Sequence, residues 1–229
     1  MQRPKKDYNE CFVIGICGGS GAGKKTLANQ LFTYYERKHP GQVNTLHLHG
    51  YFINRQAYRR NLSRAKESGH TDKAKKDVKY IFDLPENINV PGLNMDLAHL
   101  HLGGSFGVPV RDFDTGKITG CRAFKPTPIV IIEGIYLYYF KTLRNQVDYK
   151  IFLDTPPETR RQRRLEKDQW IDAEYYDHYI EPGYQKYIEP YRKYADTIVQ
   201  GQSPLPLSDV AALGAEIDPK IDFQLELTQ

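Results

Sequence analysis

The segment Gly18-Gly-Ser-Gly-Ala-Gly23-Lys24 constrains this chain more than any other. Just before it, Cys11-Phe-Val-Ile-Gly-Ile-Cys17 is almost wholly apolar, which suits a strand buried on both faces. Just after it, Leu27, Ala28, Leu31, Phe32 and Tyr35 recur at helical spacing between Lys24 and Arg37, and Pro40-Gly41 ends the helix. Strand, glycine-rich turn, lysine and helix in that order match the phosphate-binding loop G-x-x-x-x-G-K. The glycines let backbone N–H groups turn inward around phosphate oxygens. The helix N-terminus adds a favourable dipole, and Lys24 reaches the β- and γ-phosphates. The expected ATP-binding set is Gly18, Gly19, Ser20, Gly21, Ala22, Gly23, Lys24, Lys25 and Thr26. A dinucleotide fingerprint fails here because the G-x-G-x-x-G spacing is not kept. A nucleophile elbow at Ser20 fails too, since Ala22 stands where a glycine is required.

The residue after the loop lysine is ordinarily Ser or Thr, whose hydroxyl binds Mg²⁺. Here it is Lys25, whose ammonium cannot ligate a cation. Thr26 comes next, but one residue along a helix turns a side chain by about 100°. Two alternatives stand: a shifted loop recruits Thr26 as metal ligand, or the metal is held poorly. Lys25 can instead bind phosphate directly and supply part of the cation's charge.

The remaining pattern is that of an α/β fold with a parallel sheet. Val43–His49, Ile129–Ile132, Tyr149–Leu153 and Asp196–Val199 read as further strands, and Met95–Leu102 as a short helix. Val108–Phe113 and Lys117–Phe124 alternate around Asp114-Thr-Gly116, a hairpin signal. Pro157–Asp168 reads as an Arg-rich helix. Ala173–Tyr194 is helical in part, interrupted by Pro182-Gly183 and Pro190. These readings place a loose N-terminus at 1–10, one domain at 11–201 and a weakly patterned C-terminal tail at 202–229. Within the domain a hairpin insertion covers about 106–125 and a lid about 157–185.

With 229 residues, 40% of them hydrophobic, the chain can bury a core. No apolar stretch approaches 20 residues, so no membrane span is expected. Cys11, Cys17 and Cys121 form no CxxC pair, which suits a reducing, cytoplasmic setting. The net charge of +4 admits a nucleic-acid partner. That partner is not favoured, because much of the basic excess falls in the phosphate loop and the Arg-rich helix. Only Arg55–Lys79 remains as unassigned positive charge. His47 and His49 share a face of the predicted second strand, but nothing completes a zinc ligand set.

Several further segments, in order, make the chain resemble the uridine kinase (uridine–cytidine kinase) and phosphoribulokinase family of P-loop kinases. They are Phe82-Asp83-x-Pro85, Val108-Pro-Val-x-Asp-Phe113, Ile132-Glu-Gly-Ile135, Ile151-Phe-Leu-Asp-Thr155 with Thr159-Arg160 and Arg163-Arg164, and Ile188-Glu-Pro-x-x-Lys-Tyr-Ala-Asp196. The resemblance implies a P-loop nucleoside triphosphate hydrolase-type sheet flanked by helices, with a β-hairpin insertion and a helical lid. It also implies transfer of the ATP γ-phosphate to a hydroxyl of a nucleoside or similar small acceptor. In that scheme Lys24, Arg164 and Lys167 serve catalysis. Glu133, with Thr26, holds Mg²⁺. Asp83, Arg111, Phe113 and Tyr51 contact the acceptor. Arg160, Arg161 and Arg163 belong in part to a solvated basic helix face.

The chain also departs from the family pattern. Gly50 stands where the family's catalytic Asp lies, Arg111 replaces a base-stacking Tyr, and a base-reading His corresponds to about Gly116. The lid segment E-R-G-R is missing, for the chain runs Asp168-Gln-Trp-Ile-Asp-Ala173. Removing a general base costs about 10²–10⁴ in rate. The alternative function is therefore a catalytically impaired kinase-like protein, kept as a nucleotide-binding or structural subunit. A homo-oligomer or a protein partner fits that alternative.

Overall fold

The computed structural model describes residues 11–52, 84–111, 118–167, 171–201 and 204–226. Five parallel strands form its centre: β1 (Phe12–Gly18), β2 (Val43–His47), β5 (Ile129–Glu133), β6 (Tyr149–Asp154) and β7 (Thr197–Gln200). They lie in the order β2-β5-β1-β6-β7. Strands β1, β5 and β6 are short, mostly apolar and almost wholly buried, as parallel strands covered on both faces must be. The alternation along β1 divides the core. Phe12, Ile14 and Ile16 pack beneath helix α1 (Lys24–Lys38), with Leu27, Leu31 and Tyr35. Cys11, Val13 and Cys17 face the other layer, with Leu93, Leu97 and Leu100 of helix α2 (Val90–His101). Asn89 caps α2, its side chain accepting from the Gly92 N–H at 3.1 Å, so the helix starts five residues earlier than its apolar spacing predicts.

The hairpin forms a separate two-stranded sheet of β3 (Phe106–Arg111) and β4 (Ile118–Phe124). Its predicted turn at 114–116 lies outside the described residues, as does the basic stretch 55–79. After the short helix α3 (Lys141–Arg144) and β6 comes the Arg-rich helix α4 (Pro157–Lys167). A one-turn helix α5 (Ala173–Tyr175) then runs through a wider π-type turn, Tyr176–Ile180, into helix α6 (Glu181–Tyr187). Pro182-Gly183 does not interrupt the helix as expected. Pro182 sits in the first turn of α6, where a missing N–H costs no bond.

Two other differences matter. The second strand stops at His47, and Leu48–Tyr51 is a 3₁₀ turn, so His47 and His49 do not share a strand face. The tail at 202–229 contains a 20-residue helix, α7 (Leu207–Glu226). Its Val210, Leu213, Ile217 and Ile221 fall at helical spacing and are buried against the α1 layer. The glycine and proline that obscure this pattern are accommodated. Gly214 leaves room for the Tyr34 ring, which a Cβ there would meet at 2.3 Å, and Pro219 lies inside the helix past its middle.

Candidate functional site

Four strands of the parallel sheet deliver polar residues to its C-terminal edge, where ligands of open α/β sheets bind. Gly18 opens the loop after β1, Glu133 ends β5, His47 ends β2 and Asp154 ends β6. The loop turns back on itself, with the Ala22 N–H donating to the Gly19 carbonyl at 3.1 Å, and enters α1 through Gly23. Gly21 has φ +81°, and a Cβ there would stand 2.4 Å from the backbone oxygen of Arg160. Both the torsion and the close approach exclude a side chain.

Lys24 is 8% exposed, and its Nζ donates to the Gly19 carbonyl at 2.8 Å, so the ammonium is folded across the loop. Burial pushes its pKa below the usual lysine value, and the nearby Glu133 carboxylate opposes part of that shift. Arg164 and Arg160 also act on it electrostatically, as like charges. Lys24, Glu133 and Arg164 are thus brought to one place, as the family resemblance implies. Lys167 is exposed at the last position of α4.

Glu133 has a partner that the sequence reading did not identify. His47 and Glu133 sit opposite each other in the β2–β5 register, and His47 Nδ1 lies 3.0 Å from Glu133 Oε1. Burial raises the Glu133 pKa, but the His47 hydrogen bond and the charges of Lys24, His47 and His49 outweigh burial and hold it below the ordinary carboxylate range. The sequence carried part of the signal: His47 lies near the end of the predicted strand Val43–His49, and Glu133 directly follows the predicted strand Ile129–Ile132.

Arg160 corrects the expectation of a solvated helix face. It is 2% exposed, and its guanidinium carbon lies 3.8 Å from the centroid of the Tyr184 ring. Its Nε donates to the Thr155 carbonyl at 3.0 Å, and its terminal nitrogens reach the Glu181 carboxylate at 3.0 and 3.1 Å. Thr155 in turn donates to the Ala22 carbonyl at 3.0 Å. The loop is therefore held from α4 and α6 as well as from its own strand and helix. Arg163 also donates to the Ala22 carbonyl, at 3.4 Å, whereas Arg161 pairs with Asp177 on the surface.

Two more expectations are corrected. Thr26 is exposed on the face of α1 that forms a groove with Leu207 and Val210 of α7, away from Lys24, because two residues along a helix turn a side chain by about 200°. Tyr51 is not an open acceptor contact. The 3₁₀ turn after β2 directs its ring into the core, 3% exposed, where its hydroxyl donates to Asp96 at 2.5 Å. Asp83, Phe113 and the side chain of Arg111 lie outside the described residues.

The donor set does not fit a Mg²⁺ ion. Lys25 takes the hydroxyl position, Thr26 faces elsewhere and the Glu133 carboxylate is engaged by His47. Among the described residues, no group of three His, Cys, Asp or Glu side chains is placed to hold an ion.

Comparison with known proteins agrees with this geometry. Residues 13–208 match the model of the Phosphoribulokinase / Uridine kinase family. The chain belongs to that family. A uridine kinase of Proteus mirabilis is 31% identical over 200 residues, covering 83% of this chain and 87% of that protein. Uridine kinase-like protein 4 of Arabidopsis thaliana is 27% identical over 195 residues, covering 82% of this chain. The chain spans only 38% of that relative's length. Phosphoribulokinase from Rhodobacter spheroides superposes with a TM-score of 0.57 at 15% identity, covering 86% of this chain and 74% of that one, a likeness of fold. Among the described residues, no helix is long and apolar enough to cross a membrane.

Proposed function

We propose that this chain is an ATP-dependent phosphotransferase that passes the γ-phosphoryl group to a hydroxyl of a nucleoside or similar small acceptor. The observation that carries this reading is the buried Lys24 in the loop after β1, with Glu133 and Arg164 close enough to shift its pKa. Phosphoryl transfer is mostly positioning and charge neutralisation, and this cluster supplies both cations and a rigid loop. Asp83, Arg111 and Phe113 complete the proposal as acceptor contacts. The family ordinarily uses Mg²⁺ with ATP, but no step is assigned to the ion here because its ligands do not fit. Cys11, Cys17 and Cys121 are joined by no disulfide, which suits a cytoplasmic setting.

The test is phosphate transfer from ATP, with Mg²⁺ supplied, to a panel of nucleosides and phosphorylated sugars. Transfer is expected for at least one acceptor and is lost in Lys24→Ala. A panel without turnover above that variant sinks the reading.

One observation favours a second reading, a catalytically impaired nucleotide-binding subunit. Gly50 offers no base, and a Cβ there would lie 3.1 Å from the Pro109 carbonyl of the hairpin. A larger side chain requires the hairpin to move. This reading predicts ATP binding and association with a partner or second copy, seen by light scattering, without transfer. Turnover of about 1–100 s⁻¹, ordinary for kinases, excludes it.

A further inference from the structure

We propose that the phosphate site of this chain is charge-balanced by Lys25 in place of a protein-bound divalent cation, so that its ligand is a metal-free nucleoside triphosphate. The inference rests on reading the loop as an ATP site. Three placements carry it. Lys25 is the second residue of α1, next to Lys24, and is exposed. It forms no ion pair with any described residue. An unneutralised ammonium at the opening of a helix, directly after a glycine-rich loop, is placed to receive an anion.

The second placement is that of Thr26. Its hydroxyl is the nearest to the loop lysine along α1, yet it lines the groove against Leu207 and Val210. Recruiting it as a metal ligand would require rotating α1, which Leu27, Ala28, Leu31 and Tyr35 anchor in the core. The third placement is that of Glu133. A carboxylate that serves a metal, directly or through water, needs its oxygens free. Here Oε1 is bound to His47, and Lys24 already balances the charge. The Thr26 hydroxyl is therefore turned away and one of the two Glu133 oxygens is engaged, while a cation of the chain's own stands where the family has its hydroxyl ligand.

A triphosphate binds such a site through Lys24, Lys25 and the loop N–H groups. Mg²⁺ then brings little, because its charge is supplied and, among the described residues, no group of three His, Cys, Asp or Glu side chains is placed to hold it. Lys25 lacks the coordination geometry with which a metal bridges β- and γ-oxygens. The arrangement consequently favours binding over transfer.

Calorimetry on the full chain tests this, with ATP titrated in EDTA and again with Mg²⁺ in excess. Wild type is expected to bind ATP with affinities that agree within about threefold in the two buffers. Lys25→Thr and Lys25→Met should each lose about 10- to 100-fold of metal-free affinity, the size of a charge-assisted contact. Mg²⁺ should restore Lys25→Thr, which regains a hydroxyl, and should leave Lys25→Met weak. Lys25 is exposed, so neither variant threatens the fold. Wild-type binding that requires Mg²⁺ overturns the inference while leaving the ATP site intact. Retention of metal-free affinity in Lys25→Met overturns it as well. Wild type that binds no ATP in either buffer, indistinguishable from Lys24→Ala, refutes the ATP-site reading, and this inference falls with it.

Discussion

Removing the Arg160 guanidinium should unlatch the phosphate loop. In Arg160→Ala the Thr155 carbonyl loses its donor, the Glu181 carboxylate loses the two guanidinium contacts and the Tyr184 ring loses the cation over it. Stranding one member of a buried ion pair costs about 3–5 kcal/mol. The Glu181 side chain is 24% exposed and keeps Gln185 Nε2 and the Tyr176 hydroxyl as donors, which pulls that figure down. The stranded carbonyl pulls it up again by about 1–3 kcal/mol, so the net expectation stays at about 3–5 kcal/mol. In a chain of this size that corresponds to a melting temperature lower by about 6–20 °C. Calorimetry and urea unfolding measure both quantities, and an unchanged denaturant slope would locate the effect in the native state. Arg160→Lys keeps the charge but not the planar fork, so it should fall between wild type and Arg160→Ala. Arg161→Ala, one residue away but on the surface with Asp177, should match wild type. If Arg160→Ala unfolds at the same denaturant concentration as Arg161→Ala, the guanidinium is solvated and the latch does not exist.

Three other outcomes follow from the same packing. Gly21→Ala forces a Cβ to within 2.4 Å of the Arg160 backbone oxygen at φ +81°, and should cost about 1–3 kcal/mol together with ATP affinity, read by calorimetry. Ile217→Ala removes a fully buried side chain of α7 and should destabilise by about 2–5 kcal/mol in urea, whereas a detached tail would leave the midpoint unmoved. Iodoacetamide at neutral pH should label Cys121 and spare Cys11 and Cys17 in the folded chain, as checked by mass spectrometry. Cys17 is buried, donates to the Ile135 carbonyl at 3.4 Å and has its pKa pushed up to about 11, so the reactive thiolate is scarce until the pH nears that value or the chain unfolds.

The fold was legible where pattern and punctuation agreed. The apolar runs of β1, β5 and β6 can be buried only on both faces, and the glycine loop between β1 and α1 has one familiar geometry. Helix α7 was illegible because Gly214 and Pro219 break its pattern as local signals. The packing of Tyr34 and the buried spacing of Val210, Leu213, Ile217 and Ile221 override them. The site was legible in its chemistry but not in its contacts. Lys24 and Glu133 follow from motif and strand position. That His47 reaches Glu133 depends on the β2–β5 register, and that Arg160 turns inward depends on where Glu181 and Tyr184 arrive from α6. Both are long-range facts, which periodicity along one segment does not contain. Arginines at 160, 161, 163 and 164 look alike in sequence, and only the helix rotation separates the buried one from the exposed pair with Asp177.

That separation bears on how binding and turnover divide in this chain. The groups that shape the loop are Gly21, Thr155, Arg160 and Arg163, and each is tied into backbone or core independently of any ligand. Among the groups that differ from the family pattern, Lys25 and Gly50 take no part in these four shaping contacts. Altering the metal or acceptor machinery therefore leaves the loop's own supports in place, because the two sets share no contact among these bonds. A loop so supported keeps these bonds whether or not a base stands at position 50. On the proposed reading of the loop as an ATP site, affinity for phosphate rests on Lys24, Lys25 and the loop, and transfer on what replaces the carboxylate at position 50. For that reason the two readings of function must be separated by measuring binding and turnover on the same variants, with Lys24→Ala abolishing both and Lys25→Met weakening metal-free binding.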